Sequence, residues 1–136
     1  MSNDPSKSLY LLLIRGTHWE SGMSPDDIQR FMGLFTDWCD RLADQGKVVS
    51  SHPLAHEGKL VSGKGGRTVA DGPFAESKEA VGGFFLLEVD SAEEALAIAK
   101  ASPVLEYGGS IEVRPVIQRC STMDRAAELS KIEQGA

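Results

Sequence analysis

Asp71 stands directly before Gly72 and Pro73, at the end of Thr68-Val69-Ala70, a run that reads as a strand. A carboxylate held on so sharp a turn has two compatible uses. At the mouth of a cavity its pKa can be raised until it acts as a general base. On an open surface it accepts hydrogen bonds from backbone amides near Phe74 as an Asx-turn. His52, followed by Pro53, is a second group able to move protons near neutral pH, and its plainer reading is a surface or interface histidine. His56 lies four residues further on, a spacing that binds metal when it falls on a helix. Pro53 and the strand before it forbid a helix there, and four extended residues span about 13 Å. No cysteine or acidic cluster completes a set, so no metal site is expected.

Other residues offer binding rather than proton transfer. Arg15 closes the first apolar run and Arg114 sits in the last. A buried arginine needs an acidic partner, which Glu88 or Glu112 could supply, and the alternative is a ligand carboxylate. Phe74 is aimed by the turn at Gly72-Pro73, and Glu76, Lys78 and Glu79 share the short turn that follows. That turn reads as a solvated charged face, with Lys78 able to reach an anionic ligand or a partner subunit. Trp19 lies in a loop with no periodic reason for burial and is assigned to the lining of a cavity. Gly63-Lys64-Gly65-Gly66-Arg67 lacks the Lys-Ser or Lys-Thr pair of a phosphate loop; it reads as a hairpin tip that could lie over a cavity. Cys39, Trp38, Phe31 and Phe35 repeat at helical spacing and are read first as core.

The elements that must position these groups follow from periodicity. Leu9 to Ile14 does not alternate, so it reads as a strand apolar on both faces. Ser24 caps a helix with Pro25 at its first position and a stripe from Ile28 to Leu42, and Gly46 stops it. Val48 to Ser51 is a second strand. Leu60-Val61 and Thr68-Val69 form a hairpin, and a short helical turn is expected from Glu76 to Ala80. Phe84 to Val89 is a further apolar strand after Gly82-Gly83. Ser91 caps a second helix with Glu94 in the capping-box position, and Pro103 ends it. Ile111 to Ile117 is the last strand, and Thr122 to Glu133 a weak helix. The order β-α-β-(hairpin)-β-α-β predicts an α+β fold, a four-stranded antiparallel sheet with both helices on one face. That is the ferredoxin-like arrangement. It leaves one apolar sheet face without a cover, which a second copy of the sheet can supply by a two-fold contact enclosing a cavity.

Composition bounds the partners. The 136 residues are enough for one domain, 41% are hydrophobic and 25% charged, and the net charge is −6. Residues 1–70 carry 8 basic and 8 acidic groups and residues 71–136 carry 6 and 12, so the surplus is confined to the second half. An acidic chain without a basic stripe argues against nucleic acid and against an anionic membrane surface. Leu9 to Ile14 is the longest apolar run, far short of the about 20 residues that span a bilayer. Met1 to Ser8 shows no secretory pattern, and two cysteines fit a reducing compartment, so a cytoplasmic protein with free thiols is expected.

Asp71-Gly72-Pro73-Phe74-Ala75-Glu76-Ser77-Lys78-Glu79, with Gly82-Gly83-Phe84 and Ile111-Glu112-Val113-Arg114-Pro115-Val116, resembles the DGPF group of the YCII-related family. The resemblance runs from about Leu9 to Ile117 and implies a ferredoxin-like protomer assembled as a dimeric α+β barrel. Relatives on another branch carry a proposed histidine–aspartate pair, one of them acting as a dehydrochlorinase. Counted back from Gly46, the histidine position falls near Phe35, which cannot transfer protons, and the aspartate position near His56 or Glu57. The pair is therefore not carried over. Members of the group are also associated with alternative sigma factors.

The expectation is a tail over residues 1–8, one ferredoxin-like domain with an inserted hairpin over 9–117, and a weakly helical tail over 118–136. The expected function is binding of a small molecule between the sheets of a homodimer, with cofactor-free acid–base chemistry, elimination or isomerisation, carried by Asp71 and His52. Arg15, Trp19, Phe74, Glu76, Lys78 and Arg114 are the expected ligand contacts. The alternative is a non-catalytic module that binds a metabolite or a protein in transcriptional or stress control.

Overall fold

The computed structural model describes residues 7–16, 21–72, 80–117 and 121–134. Strand β1 (Ser8–Arg15) leads to helix α1 (Pro25–Asp44) and strand β2 (Val48–Pro53). Strands β3 (Lys59–Ser62) and β4 (Thr68–Asp71) form a separate antiparallel hairpin. Strand β5 (Val81–Val89), helix α2 (Ala92–Lys100), strand β6 (Ser110–Pro115) and helix α3 (Ser121–Gln134) follow. The main sheet runs β2-β5-β1-β6 with every neighbouring pair antiparallel. This is the ferredoxin-like fold expected from the element order.

Both helices of the sandwich start as the sequence predicts. Ser24 Oγ accepts from the Asp27 amide at 3.1 Å and Pro25 occupies the first turn. Such a cap contributes about 1 kcal/mol. Gly46, at φ 70°, turns the chain out of α1 in a conformation that favours glycine. Ser91 Oγ accepts from the Glu94 amide at 3.2 Å, while Glu94 Oε2 accepts from the amide of Asp90.

Alternation along the strands then decides which side is core. Leu12, Leu87 and Val89 are fully buried and Phe85 nearly so, and Phe31, Trp38 and Leu42 of α1 and Ala95, Ile98 and Ala99 of α2 pack with them. Trp38 crosses between the helices, its Nε1–H donating to the Ile98 carbonyl at 3.2 Å. On the opposite face Leu9, Leu11 and Leu13 pair with Glu88, Leu86 and Phe84, and all six are only half-buried. The run Leu9 to Ile14 is thus apolar on both faces but fully buried within one chain on the helix side only.

Several strand boundaries differ from the sequence reading, and β6 closes at Pro115 rather than at Ile117. β2 continues through His52 and Pro53, which lie opposite Phe84 and Gly83. It is an edge strand, where a proline needs no ladder donor. β5 begins at Val81, before its glycines, because pairing with β1 and β2 pins them. A Cβ on Gly83 would stand 3.1 Å from the His52 carbonyl oxygen, so the close approach of β5 to β2 favours glycine. The helical turn expected from Glu76 to Ala80 lies outside the described residues except for Ala80, which is buried just before β5.

Candidate functional site

The helix-side layer does not close completely. Between α1 and the sheet, a cavity of about 550 Å³ opens at the β2 edge. Helix α1 contributes Ile28, Phe31, Met32, Phe35 and Cys39 to its wall. The sheet contributes Ile14, Ser51 and Phe85, and the ends of β1, β2 and β5 add Gly16, Gly82, Gly83, His52, Pro53, Leu54 and His56. The reason lies in the sequence of α1. Its apolar stripe is wider than one sheet can cover, so Met32 keeps 48% of its surface exposed, and Leu54 across the opening keeps 43%. The two side chains belong to the wall and are the most exposed apolar groups in it.

Rings dominate the interior. Phe35 is stacked on Phe31 at 5.6 Å, meets Phe85 edge-on at 6.2 Å, and lies 5.7 Å from Trp38 behind it. Polar groups are few: the Ser51 hydroxyl, the Cys39 thiol, and the histidines 52 and 56. Burial, and secondarily the charge of Asp40, push the Cys39 thiol above its usual pKa, so it stands protonated. Cys39 is a free cysteine.

The opposite sheet face gathers three of the residues singled out from the sequence. Arg15 Nη2 lies 2.9 Å from Glu112 Oε1 and 3.3 Å from Oε2, one of the two acidic partners the sequence offered. Arg114 lies opposite Leu11 and is exposed. His52 pairs with Phe84, and their ring centroids are 5.7 Å apart. Phe84 alternates with the core residue Phe85, so the His52 imidazole shares the face of Leu13 and Leu86 even though the residue borders the cavity.

Asp71 is elsewhere. It closes the base of the hairpin, paired in register with Lys59 and joined to it by an exposed ion pair. It is not among the described residues that line the cavity. The hairpin tip Lys64–Gly66 is a single turn of 3-10 helix, and every hairpin residue is exposed. Trp19, Phe74, Glu76 and Lys78 lie outside the described residues. Among the described residues, no three His, Cys, Asp or Glu side chains assemble as a metal-binding group, and no helix is long and apolar enough to cross a membrane.

The model of the YCII-related domain matches residues 10–119, a span that runs from β1 past the end of β6. The chain belongs to the YCII-related family. An uncharacterized protein of Rhizobium meliloti (strain 1021) is 40% identical over 72 residues, which are 52% of this chain and 58% of that relative. The chain therefore matches little more than half the length of that protein. Phe35 and His56 are both part of the cavity wall, and Glu57 is not among the described residues that line it. Phe35, Cys39 and Met32 were legible only as core. The signal that distinguishes them is the excess width of the α1 stripe, seven apolar residues from Ile28 to Leu42, against one small sheet.

Proposed function

We propose that this YCII-related protein binds a small organic molecule in the cavity between α1 and the sheet, and that it works as a homodimer. The cavity carries the reading. Its volume of about 550 Å³ lies inside the range of small-molecule sites, and its wall combines apolar rings with a few polar groups. The chemistry we assign to it is cofactor-free proton transfer, an elimination or an isomerisation. The imidazole of His56, in the wall, is the group suited to move a proton near neutral pH, whereas that of His52 lies on the opposite sheet face. Asp71 is assigned to the hairpin base, where its ion pair with Lys59 fixes the register of β3 and β4. The second copy covers the half-buried face of Leu9, Leu11, Leu13, Phe84 and Leu86, so that Arg15, Glu112 and Arg114 flank the contact.

A thermal-shift screen of the full chain against neutral and charged metabolites tests the reading, followed by the structure of any complex. A stabilising compound bound against Phe35 and His56 is the expected outcome. Compounds that stabilise the protein only from other surfaces would refute it.

A second reading rests on the hairpin. Leu60, Val61 and Val69 keep 59%, 62% and 62% of their surface exposed, outside the sheet face assigned to the dimer. This is the kind of surface a protein-binding regulatory module displays. Val61→Ser with Val69→Ser should leave ligand stabilisation intact under the first reading. Under the second it should abolish association with a protein partner.

A further inference from the structure

We propose that the β3–β4 hairpin is an arm that docks on a second copy of this chain, an inference that rests on the reading of the protein as a homodimer. Three observations lead there.

The first is a hairpin without a layer to lie on. Among the described residues, β3 and β4 pair only with each other, in a sheet separate from the four-stranded one. A lone two-stranded hairpin is marginally stable in water and needs a further element to pack against. Val61 lies opposite Val69 and Leu60 opposite Ala70, so consecutive pairs turn apolar groups to both faces. Leu60, Val61 and Val69 nonetheless keep more than half of their surface exposed. Apolar side chains gathered in the open in this way mark a contact surface.

The second is charge. Lys59, Lys64 and Arg67 against Asp71 give the hairpin a net +2 in a chain of net −6, so the other residues together carry −8. Lys59 is paired with Asp71 at the base, and Lys64 and Arg67 stand exposed at the tip. Helix α1 carries the opposite sign: Asp26, Asp37, Asp40 and Asp44 are exposed along one side of it. A basic, apolar arm thus complements the acidic body of an identical chain. A nucleic acid would be repelled by that body, which is the reason for assigning the tip to protein.

The third is position. β2 is an edge strand of the main sheet, and the hairpin begins at Lys59, shortly after the last residue of that strand, Pro53. The arm therefore leaves from the rim of the sheet face assigned to the second copy. Its strands are four residues long and reach about 13 Å, and sheets packed face to face stand about 10 Å apart, so the arm is long enough to cross the seam. A two-fold axis repeats the contact, and each copy then holds the other by one arm.

The full chain with a benzophenone amino acid in place of Val69 tests this at micromolar concentration. Irradiation is expected to give a covalent dimer on a denaturing gel, with the cross-linked peptide of the second copy drawn from outside residues 59–71. Lys64→Glu with Arg67→Glu sets like charge against the acidic body, which should raise the dissociation constant of the dimer at least about tenfold. Both positions are exposed, so circular dichroism should show an unchanged fold. Cross-links confined to single chains, cross-links from hairpin to hairpin, or none at all overturn the inference and return the hairpin to a different protein partner. A charge-reversed variant that dimerises as tightly as wild type overturns it too. With wild type a dimer by light scattering, each of these results leaves the sheet-to-sheet reading standing. A wild-type monomer ends both.

Discussion

Leu86 and Leu87 are adjacent in β5 and face opposite sides of the sheet: Leu87 has no exposed surface, whereas Leu86 lies half-buried opposite Leu11. Leu87 packs with α1 and α2, and Leu86 belongs to the face neither of them covers.

One substitution at each position separates folding from assembly. Leu87→Asp places an unpaired carboxylate in the core, at a cost of several kcal/mol against a total stability of about 5–15 kcal/mol. Loss of the folded circular-dichroism spectrum is expected. Leu86→Asp leaves that core intact and is expected to give a folded monomer by light scattering, with the wild-type chain a dimer. A wild-type monomer at micromolar concentration, or a dimeric Leu86→Asp, would refute sheet-to-sheet assembly.

The Trp38 indole spans α1 and α2 through its bond to the Ile98 carbonyl and also packs edge-on against Phe85, with centroids 5.0 Å apart. Trp38→Phe keeps most of the ring volume and removes one of two donors to the Ile98 carbonyl, which the Ala101 amide still reaches at 3.2 Å, so the cost is about 1 kcal/mol. A lower melting temperature with unchanged secondary structure is expected. Because α1 forms one wall of the cavity, the affinity of a compound found in the metabolite screen should fall as well. An unaltered melting temperature would show that the bond does not couple the helices.

Cys39 supplies a pH dependence. Its thiol is raised above the usual range by burial first and by Asp40 second. A raised pKa means the folded chain holds this proton more firmly than the unfolded chain does. The resulting stabilisation is complete below the unfolded thiol's value of about 8.5 and is lost as pH rises through the folded value. Wild-type protein is therefore expected to lose melting temperature on the alkaline side more steeply than Cys39→Ala. In Asp40→Asn the second cause is gone, so Cys39 should be alkylated faster at a given pH. Parallel alkaline melting curves for wild type and Cys39→Ala would contradict this account.

Helix caps, the hairpin and the order of the sheet were legible because each rests on local chemistry: Ser24 and Ser91 before their helices, Gly46 after one, and turn residues between Val61 and Val69. The site was less legible because it depends on what a helix fails to cover. Phe35 and Cys39 carry the same spacing as Trp38, yet Trp38 is 3% exposed while the other two turn part of their surface to a cavity. No local pattern distinguishes them. His52 was singled out by residue type alone, and the side it faces follows from its register with Phe84, which only the paired strand reveals. Asp71 was placed at a turn by Gly72-Pro73. Its ion pair with Lys59 depends on the hairpin register, and sequence reasoning did not anticipate it.

Asp71→Asn brings that difference to a measurement. The Asp71 and Lys59 side chains keep 79% and 68% of their surface exposed, and an ion pair so open to solvent contributes at most about 1 kcal/mol. Asparagine keeps the oxygen that can accept from Lys59 and from backbone amides, but it cannot take up a proton. With Asp71 acting at the hairpin base, the variant should melt within a few degrees of wild type, as expected of a change below about 1 kcal/mol in a domain of this size. Its affinity for a compound found in the metabolite screen should also be unchanged, because Asp71 is not among the described residues lining the cavity. Lys59→Gln should reproduce the same small shift, and the double variant should cost little more than either single change, since both remove the same pair. A variant that melts like wild type but loses ligand affinity or turnover would instead make Asp71 part of the site, and would place the hairpin beside the bound molecule.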